Sequence, residues 1–519
     1  MKKNLIHTKE NHTIAIGEEG ITHSFPSEHH FSLGRLLCCS FLLIVAASSS
    51  LGHPVSEREL GQARAGYGKY AGYYTVSDSP SKTWKEVRFH YWSIDERGQR
   101  IKLSAFMTWP KAQAFGVFRR LFERLPVQLP YLSETKCEDV VLYCPYTHVS
   151  STQCATESNY ETEFASNLEK LTTIMPNWII IPDGEGFGLT ASTHTQLYLN
   201  HEVWAEQEVD CLKAAWEIRN LINKESPDKI LLDDDWKLVL VGSSQGAGTA
   251  LATMRYMENV SSNMSTVKLD EQFRLAFANV CCGPYDPALT LMTYLQNGTI
   301  CYPAIIPLTI QSMLNSFPKE MEGVTETDFY TANYLAIKTE SGLSLAEAVD
   351  KALCVDDRAN KTGKNTTDMA ELNALMQTYL EKDEYGHVRL DEILNDGVLK
   401  LAYDPKHASD IAKRLMNCLQ RTSVFDGVWE VDEGPWTPKH FIWYYYNRQD
   451  DVVPYENAQL LAQRCNQELA KGGDVTKLIN YASLKASRSN EHIAGCGGWM
   501  FSFWTKPEWN NWISLLRRF

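Results

Sequence analysis

Gly242-Ser243-Ser244-Gln245-Gly246 offers this chain's clearest nucleophile, because it fits the spacing G-x-S-x-G. An apolar run at 236–242 leads into it, and a run with helical spacing at 246–257 leads out. In such a strand–turn–helix the serine sits in a tight turn that pushes its hydroxyl outward, while glycines two positions to either side let strand and helix approach. The helix N-terminus adds unpaired N–H groups that a developing oxyanion can use. A five-residue match alone arises by chance on the order of 0.1–0.2 times in a chain this long. The strand–turn–helix setting is what separates it from an ordinary glycine- and serine-rich turn. Ser243 is out of register with the pattern.

A serine hydroxyl reacts only if a base takes its proton and an acid orients that base. In this type of turn the three groups follow in the order serine, acid, histidine. A predicted strand at 441–446 ends in Asn447-Arg448-Gln449-Asp450-Asp451-Val452-Val453-Pro454, which puts an acid at the strand's carboxyl end. Beyond Asp450 the chain has a single histidine, His492. The candidate set is therefore Ser244, Asp450 and His492. Asp451 and Asp286 are rivals for the acid, and a turn cap is the plainer role for Asp450. A solvated loop position is the plainer role for His492. For the oxyanion hole, the backbone N–H of Gln245 is one expected donor. The second is expected from the loop after the third strand, near Thr147 or His148; His148 otherwise reads as a pocket residue.

Asp183-Gly184-Glu185-Gly186-Phe187-Gly188 is a second glycine-rich loop. Its spacing misses G-x-G-x-x-G and no P-loop lysine follows, so no phosphate cofactor is expected, and it reads as shaping the pocket entrance. No C-x-x-C pair occurs, so no metal site is expected.

Several elements must position these groups. Alternating residues at 84–92 and 101–109, with a turn at Asp95-Glu96-Arg97-Gly98, predict an antiparallel pair. Short apolar runs at 139–144, 177–181, 236–242, 275–281, 441–446 and 477–482 predict buried strands. Helical spacing at 161–170, 203–223 and 246–257 falls between them. Strands alternating with helices imply a mostly parallel sheet covered on both faces. From 287 to 435 helix-like stretches at 345–353, 369–380 and 408–419 replace the strands, with a loop at 363–367. That block reads as a helical cap inserted over the strand ends, where ligands of open α/β sheets bind.

Composition bounds the partners. With 44% hydrophobic and 22% charged residues the chain is an ordinary globular protein, and its net charge of −14 argues against nucleic-acid binding. An apolar run at 36–47 follows Arg35 and leads into Ser48-Ser49-Ser50, which predicts a signal for export. The run is short of the roughly 20 residues a membrane span needs, although the long preceding segment, polar and mixed in charge with acidic residues, leaves an uncleaved anchor or a later true start open. A secreted or periplasmic location follows, with no stable span in the mature protein. Cys38 and Cys39 lie in the signal; the other cysteines read mainly as buried, inert thiols.

The segments 181–188, 241–246, 282–286 and 450–454 resemble the bacterial secreted α/β-hydrolase family of lipase-like serine esterases, over most of residues 84–500. The resemblance implies the α/β-hydrolase fold, the Ser244–Asp450–His492 triad, a helical cap after Asp286 and carboxylic-ester substrates. Gly184 stands where that family often has an aromatic, the loop at His148 lacks a His-Gly motif, and the insertion at 111–136 is atypical. The domain reading is an N-terminal segment with signal peptide at 1–50, a core in two parts at 51–286 and 436–519, and a cap at 287–435. The functional reading is an exported hydrolase of a small-molecule, lipid or glycan ester. A serine peptidase of the same fold and a non-catalytic exported binding protein are the alternatives.

Overall fold

A computed structural model of the chain describes residues 68–77, 84–110, 136–150, 153–157, 177–225, 229–261, 267–353, 369–429, 434–466, 469–474, 492 and 496. The apolar run at 36–47, all but the last residue of the insertion at 111–136, the expected helix at 161–170, the loop at 363–367 and the expected strand at 477–482 lie outside these residues.

The strands in chain order are β1 (Lys69–Ser77), β2 (Trp84–Ile94), β3 (Arg100–Pro110), β4 (Lys136–Cys137), β5 (Val140–Cys144), β6 (Trp178–Pro182), β7 (Leu231–Leu232), β8 (Leu238–Ser243), β9 (Leu275–Cys281), β10 (Thr299–Ile300), β11 (Val388–Arg389), β12 (Phe441–Tyr446) and β13 (Ala470–Asp474). Nine form one sheet in the order β1-β2-β3-β6-β5-β8-β9-β12-β13. The first three and the β3–β6 junction are antiparallel. From β6 to β13 every pairing is parallel. The expected antiparallel pair is present, with Trp84 opposite Pro110 and Ile94 opposite Arg100. Its turn is closed by the Asp95 carboxylate, which accepts the N–H groups of Arg97 (2.9 Å) and Gln99 (2.7 Å).

The central strands are apolar on both faces because both are covered. Val140, Leu142, Trp178, Ile180, Leu238 and Leu240 enter one core. Val141, Tyr143, Ile179, Ile181, Val239 and Val241 enter another on the opposite face. Each such buried side chain contributes roughly 1.5–3 kcal/mol. The long helix α1 (His201–Glu225) and the helix α2 (Gln245–Asn259) pack in the first core, α2 directly following β8.

The last described strand is β13, which lies earlier than the strand expected at 477–482. Its sequence, Ala-Lys-Gly-Gly-Asp, carries no apolar signal. It joins the sheet by backbone pairing to β12, and a Cβ at Gly472 would sit 2.1 Å from the Tyr444 ring, so the aromatic side chain occupies the space.

Between β9 and β12 no strand of the large sheet is described. A short helix α3 (Leu269–Gln272) precedes β9. After it come α4 (Pro287–Asn297), α5 (Ile305–Ser316), α6 (Ala332–Ala336), α7 (Leu345–Leu353), α8 (Met369–Tyr379), α9 (Asp396–Tyr403) and α10 (Asp410–Arg421). These helices from α4 onward share an apolar cluster separate from the sheet cores, reaching Val149, Tyr198, Leu199, Val452 and Val453 in the loops beyond the strand ends. The helix α11 (Glu456–Arg464) follows β12. Among the described residues no helix is long and apolar enough to cross a membrane.

Candidate active site

Ser244 is the residue between β8 and α2. Its backbone has φ 53° and ψ −128°, a conformation that a residue with a side chain adopts only under constraint. The constraint is visible. The Ser244 N–H donates to the carbonyl of Cys281 at the end of β9 (2.8 Å), and α2 begins at the next residue. The flanking glycines are required by contact. A Cβ at Gly242 would meet the Gly246 carbonyl oxygen at 2.1 Å, and one at Gly246 would meet that of Cys144 at 2.2 Å. Ser243, by contrast, ends β8, is buried and pairs across to Cys281.

The expected acid and base converge on Ser244. His492 Nε2 lies 3.0 Å from Ser244 Oγ, and His492 Nδ1 lies 2.9 and 2.8 Å from the two Asp450 carboxylate oxygens. The Asp450 side chain is 1% exposed and that of His492 7%. The Asp450 carboxylate also accepts the N–H groups of Val452 (2.9 Å) and Val453 (2.7 Å), which fix it at the strand's end. With Nδ1 facing a carboxylate, the Nδ1–H tautomer is favoured, leaving Nε2 free to accept the serine proton. Burial opposes charging of His492, yet the Asp450 carboxylate, with the Cys496 sulfur on the Nε2 side, outweighs burial and holds the imidazole well above its ordinary range.

The two rival acids have other work. Asp286 caps α4: its carboxylate accepts the Leu289 N–H (2.9 Å) and the Ser423 hydroxyl (3.2 Å). Asp451 accepts the backbone N–H of His492 (3.2 Å) and the Cys301 thiol (3.3 Å), so it holds the histidine's main chain and not its ring.

Gln245 is the first residue of α2, whose opening N–H groups have no partner within the helix. Thr147 and His148 lie in the loop after β5 and line the same cavity as Ser244. His148 is packed against Tyr146, with ring centroids 4.4 Å apart, and burial pulls its pKa down to about 3, so it stays neutral. The cavity measures about 470 Å³. Besides Ser244 and His492 it is walled by Leu291, Tyr294, Ile305, Ile306, Val452 and Val453. The loop 183–188 does not line this cavity. Glu185, Gly186 and Phe187 border a neighbouring cleft with Glu96 and Thr195 instead. Its Gly184 has φ 82°, and a Cβ there would strike the Trp204 ring at 1.9 Å, so Trp204 takes the space an aromatic at 184 would fill.

Three cysteines beside the site carry no signal in the sequence that places them there. Cys496 Sγ lies 3.8 Å from His492 Nε2, and Cys281 and Cys282 stand beside it with their sulfurs 3.5 Å apart. Asp451, a rival acid by sequence, is a backbone anchor for His492. The ten described cysteines are all free thiols, and nine of them are buried.

No family model matches the chain, and no curated protein sequence matches it. Solved structures of the rice cell wall degrading esterase LipA from Xanthomonas oryzae are similar to it. A point variant of LipA aligns with a TM-score of 0.58 at 15% identity, over 87% of this chain and 99% of that one. A ligand-bound form gives a TM-score of 0.58 at 15% identity, over 85% and 99%. With a mostly parallel sheet and a strand–serine–helix turn at its centre, the chain has the α/β-hydrolase fold.

Proposed function

We propose that this protein is a serine hydrolase that cleaves carboxylic esters through an acyl-enzyme on Ser244. The observation that carries the reading is the unbroken relay from Ser244 Oγ through His492 to Asp450, set on a serine held at positive φ. As Ser244 Oγ attacks the ester carbonyl, His492 Nε2 takes its proton, and Asp450 stabilises the imidazolium. The oxyanion is met by the Gln245 N–H at the positive end of α2, with a second donor from the Thr147–His148 loop. The tetrahedral adduct collapses as His492 returns the proton to the departing alcohol. Water, activated by the same histidine, then releases the acid.

The largely apolar wall of the cavity supports an ester whose acyl or alcohol part is apolar. The helices 287–421 supply much of that wall, which supports reading this block as a cap. The segment at 36–47 supports export, with the mature chain beginning after Ala47; N-terminal sequencing of the exported protein tests this, and an intact N-terminus in the membrane fraction would count against it.

Labelling by a fluorophosphonate and turnover of p-nitrophenyl esters test the activity. Ser244→Ala is expected to lose labelling and to lose turnover by about 10⁴–10⁶ while staying folded. Ser243→Ala is expected to keep both. Preference for aminoacyl anilides over esters would replace the esterase reading by a peptidase, and ester turnover retained in Ser244→Ala would refute the nucleophile.

A further inference from the structure

We propose that Cys301, His387 and Asp451 form a binding site for a divalent transition-metal ion of the Zn²⁺ type. The three side chains come from distant parts of the sequence, and their ligand atoms all lie within 4.8 Å of one another. No closely spaced cysteine pattern marks this set, because its members lie far apart in the chain.

The local structure explains the convergence. β10 and β11 pair antiparallel, with Thr299 opposite Arg389 and Ile300 opposite Val388. One step further along that register places Cys301 across from His387. The turn before β11 is pinned by Asp383, whose carboxylate accepts the N–H groups of Tyr385 (2.9 Å) and His387 (2.9 Å), with Gly386 at φ 86°. On the other side, Gln377 donates to the Cys301 carbonyl (3.0 Å). The third group, Asp451, comes from the loop after β12, and Cys301 Sγ already points at its Oδ2 (3.3 Å). Asp383 Oδ2 lies 3.9 Å from His387 Nδ1, beside the three-residue group and not part of it.

The donor set chooses the ion. One sulfur, one imidazole nitrogen and one carboxylate oxygen suit Zn²⁺ or Co²⁺, whereas Mg²⁺ and Ca²⁺ take oxygen alone. Bond lengths of about 2.0–2.3 Å at tetrahedral angles put ligand atoms roughly 3.3–3.8 Å apart, so closure on the order of 1 Å suffices. On binding, the Cys301 S–H bond breaks, its proton passes to solvent, and a sulfur–metal bond forms. The ion would tie the helical region to the loop that carries Asp450. Asp451 Oδ1 holds the His492 N–H at the same time, so occupancy bears on the position of His492.

The test of this site needs no turnover, so its outcome is read separately from the esterase reading. The full chain, reduced and stripped with chelator, is titrated with Co²⁺. The expected result is one ion per chain, with a thiolate-to-cobalt charge-transfer band, displaced by Zn²⁺, and a melting temperature that rises with Zn²⁺. Cys301→Ser should abolish the band. His387→Ala, a half-buried position in a surface turn, should weaken binding by at least about 10-fold, which keeps the test open if the cysteine variant fails to fold. Cys496→Ser should bind as the wild type does. Absence of the band in the wild type, its survival in Cys301→Ser, unchanged affinity in His387→Ala, or its loss in Cys496→Ser would each overturn the proposal.

Discussion

At the scale of single residues, two carboxylates one position apart have been given different partners. Asp450 faces the His492 ring and Asp451 its main chain. Asp450→Asn should therefore lower turnover by about 10⁴, since the ring loses both its orienting acceptor and the charge that stabilises the imidazolium. The pH profile gives a second readout. His492 must be neutral to act as a base, and in the wild type its pKa is held above the ordinary value of about 6.5. Activity should thus fall as pH drops through a half-point above that value. In Asp450→Asn the raising charge is gone, burial remains, and the half-point should move to lower pH. A pH–rate profile of the residual activity checks both statements. Asp286→Ala should behave differently. It removes a helix cap, so denaturant unfolding should show a loss of about 0.5–2 kcal/mol with turnover unchanged.

The element that matters most is the turn joining β8 to α2. Gly242 and Gly246 face backbone carbonyls, which cannot step aside as a flexible side chain can. Gly246→Ala should cost about 1–3 kcal/mol in urea unfolding and displace the hydroxyl of Ser244. Gly98→Ala, at φ 69° with nothing within 4 Å, bears only the intrinsic cost of its backbone angle, about 1 kcal/mol. This turn was legible in the sequence because strand, motif and helix are contiguous. His492 was legible by position, as the one histidine after the acid. Other elements left no such trace. β13 is held by backbone pairing under an aromatic ring and has no apolar period to read. The loop 183–188 was expected at the pocket mouth, but Trp204, packed against Gly184, turns it to a neighbouring cleft. The Cys301, His387 and Asp451 grouping depends on a two-residue strand pair, below the length at which periodicity carries information.

Across the whole molecule, the sheet core holds a group that opposes its own burial. Glu208, on α1, is fully buried beside Cys144, and burial raises its pKa well above the ordinary carboxylate range, the Cys144 thiol working in the other direction. The folded chain keeps this proton when the unfolded chain releases it. The stability that the protonated form contributes is complete below the unfolded pKa of about 4.3 and is lost as pH rises toward the folded value, by at most about 1.4 kcal/mol per pH unit. Glu208→Gln carries no such dependence. Its melting temperature relative to the wild type should climb between pH 5 and 8, and a constant difference over that range would show that Glu208 is ionised in the fold.

One buried guanidinium helps join the segment after the helical region back to the sheet. Arg255, on α2, is fully buried and donates to the carbonyls of Ser423 (3.3 Å), Val424 (2.9 Å), Gly427 (2.8 Å) and Gly434 (3.3 Å), with its charge 4.0 Å over the Trp429 ring. Its acceptor at Val424 lies 169 positions along the chain. During synthesis and folding, α2 therefore carries a cation with none of these carbonyls in place until the whole intervening segment has been made and has returned. Contacts of such separation form late, because a long loop must close before they reward it. The helix that follows Ser244 is thus completed at its far end by some of the last contacts to form, and a nascent chain that stops short of residue 424 carries Ser244 ahead of a helix whose buried charge still lacks these carbonyls.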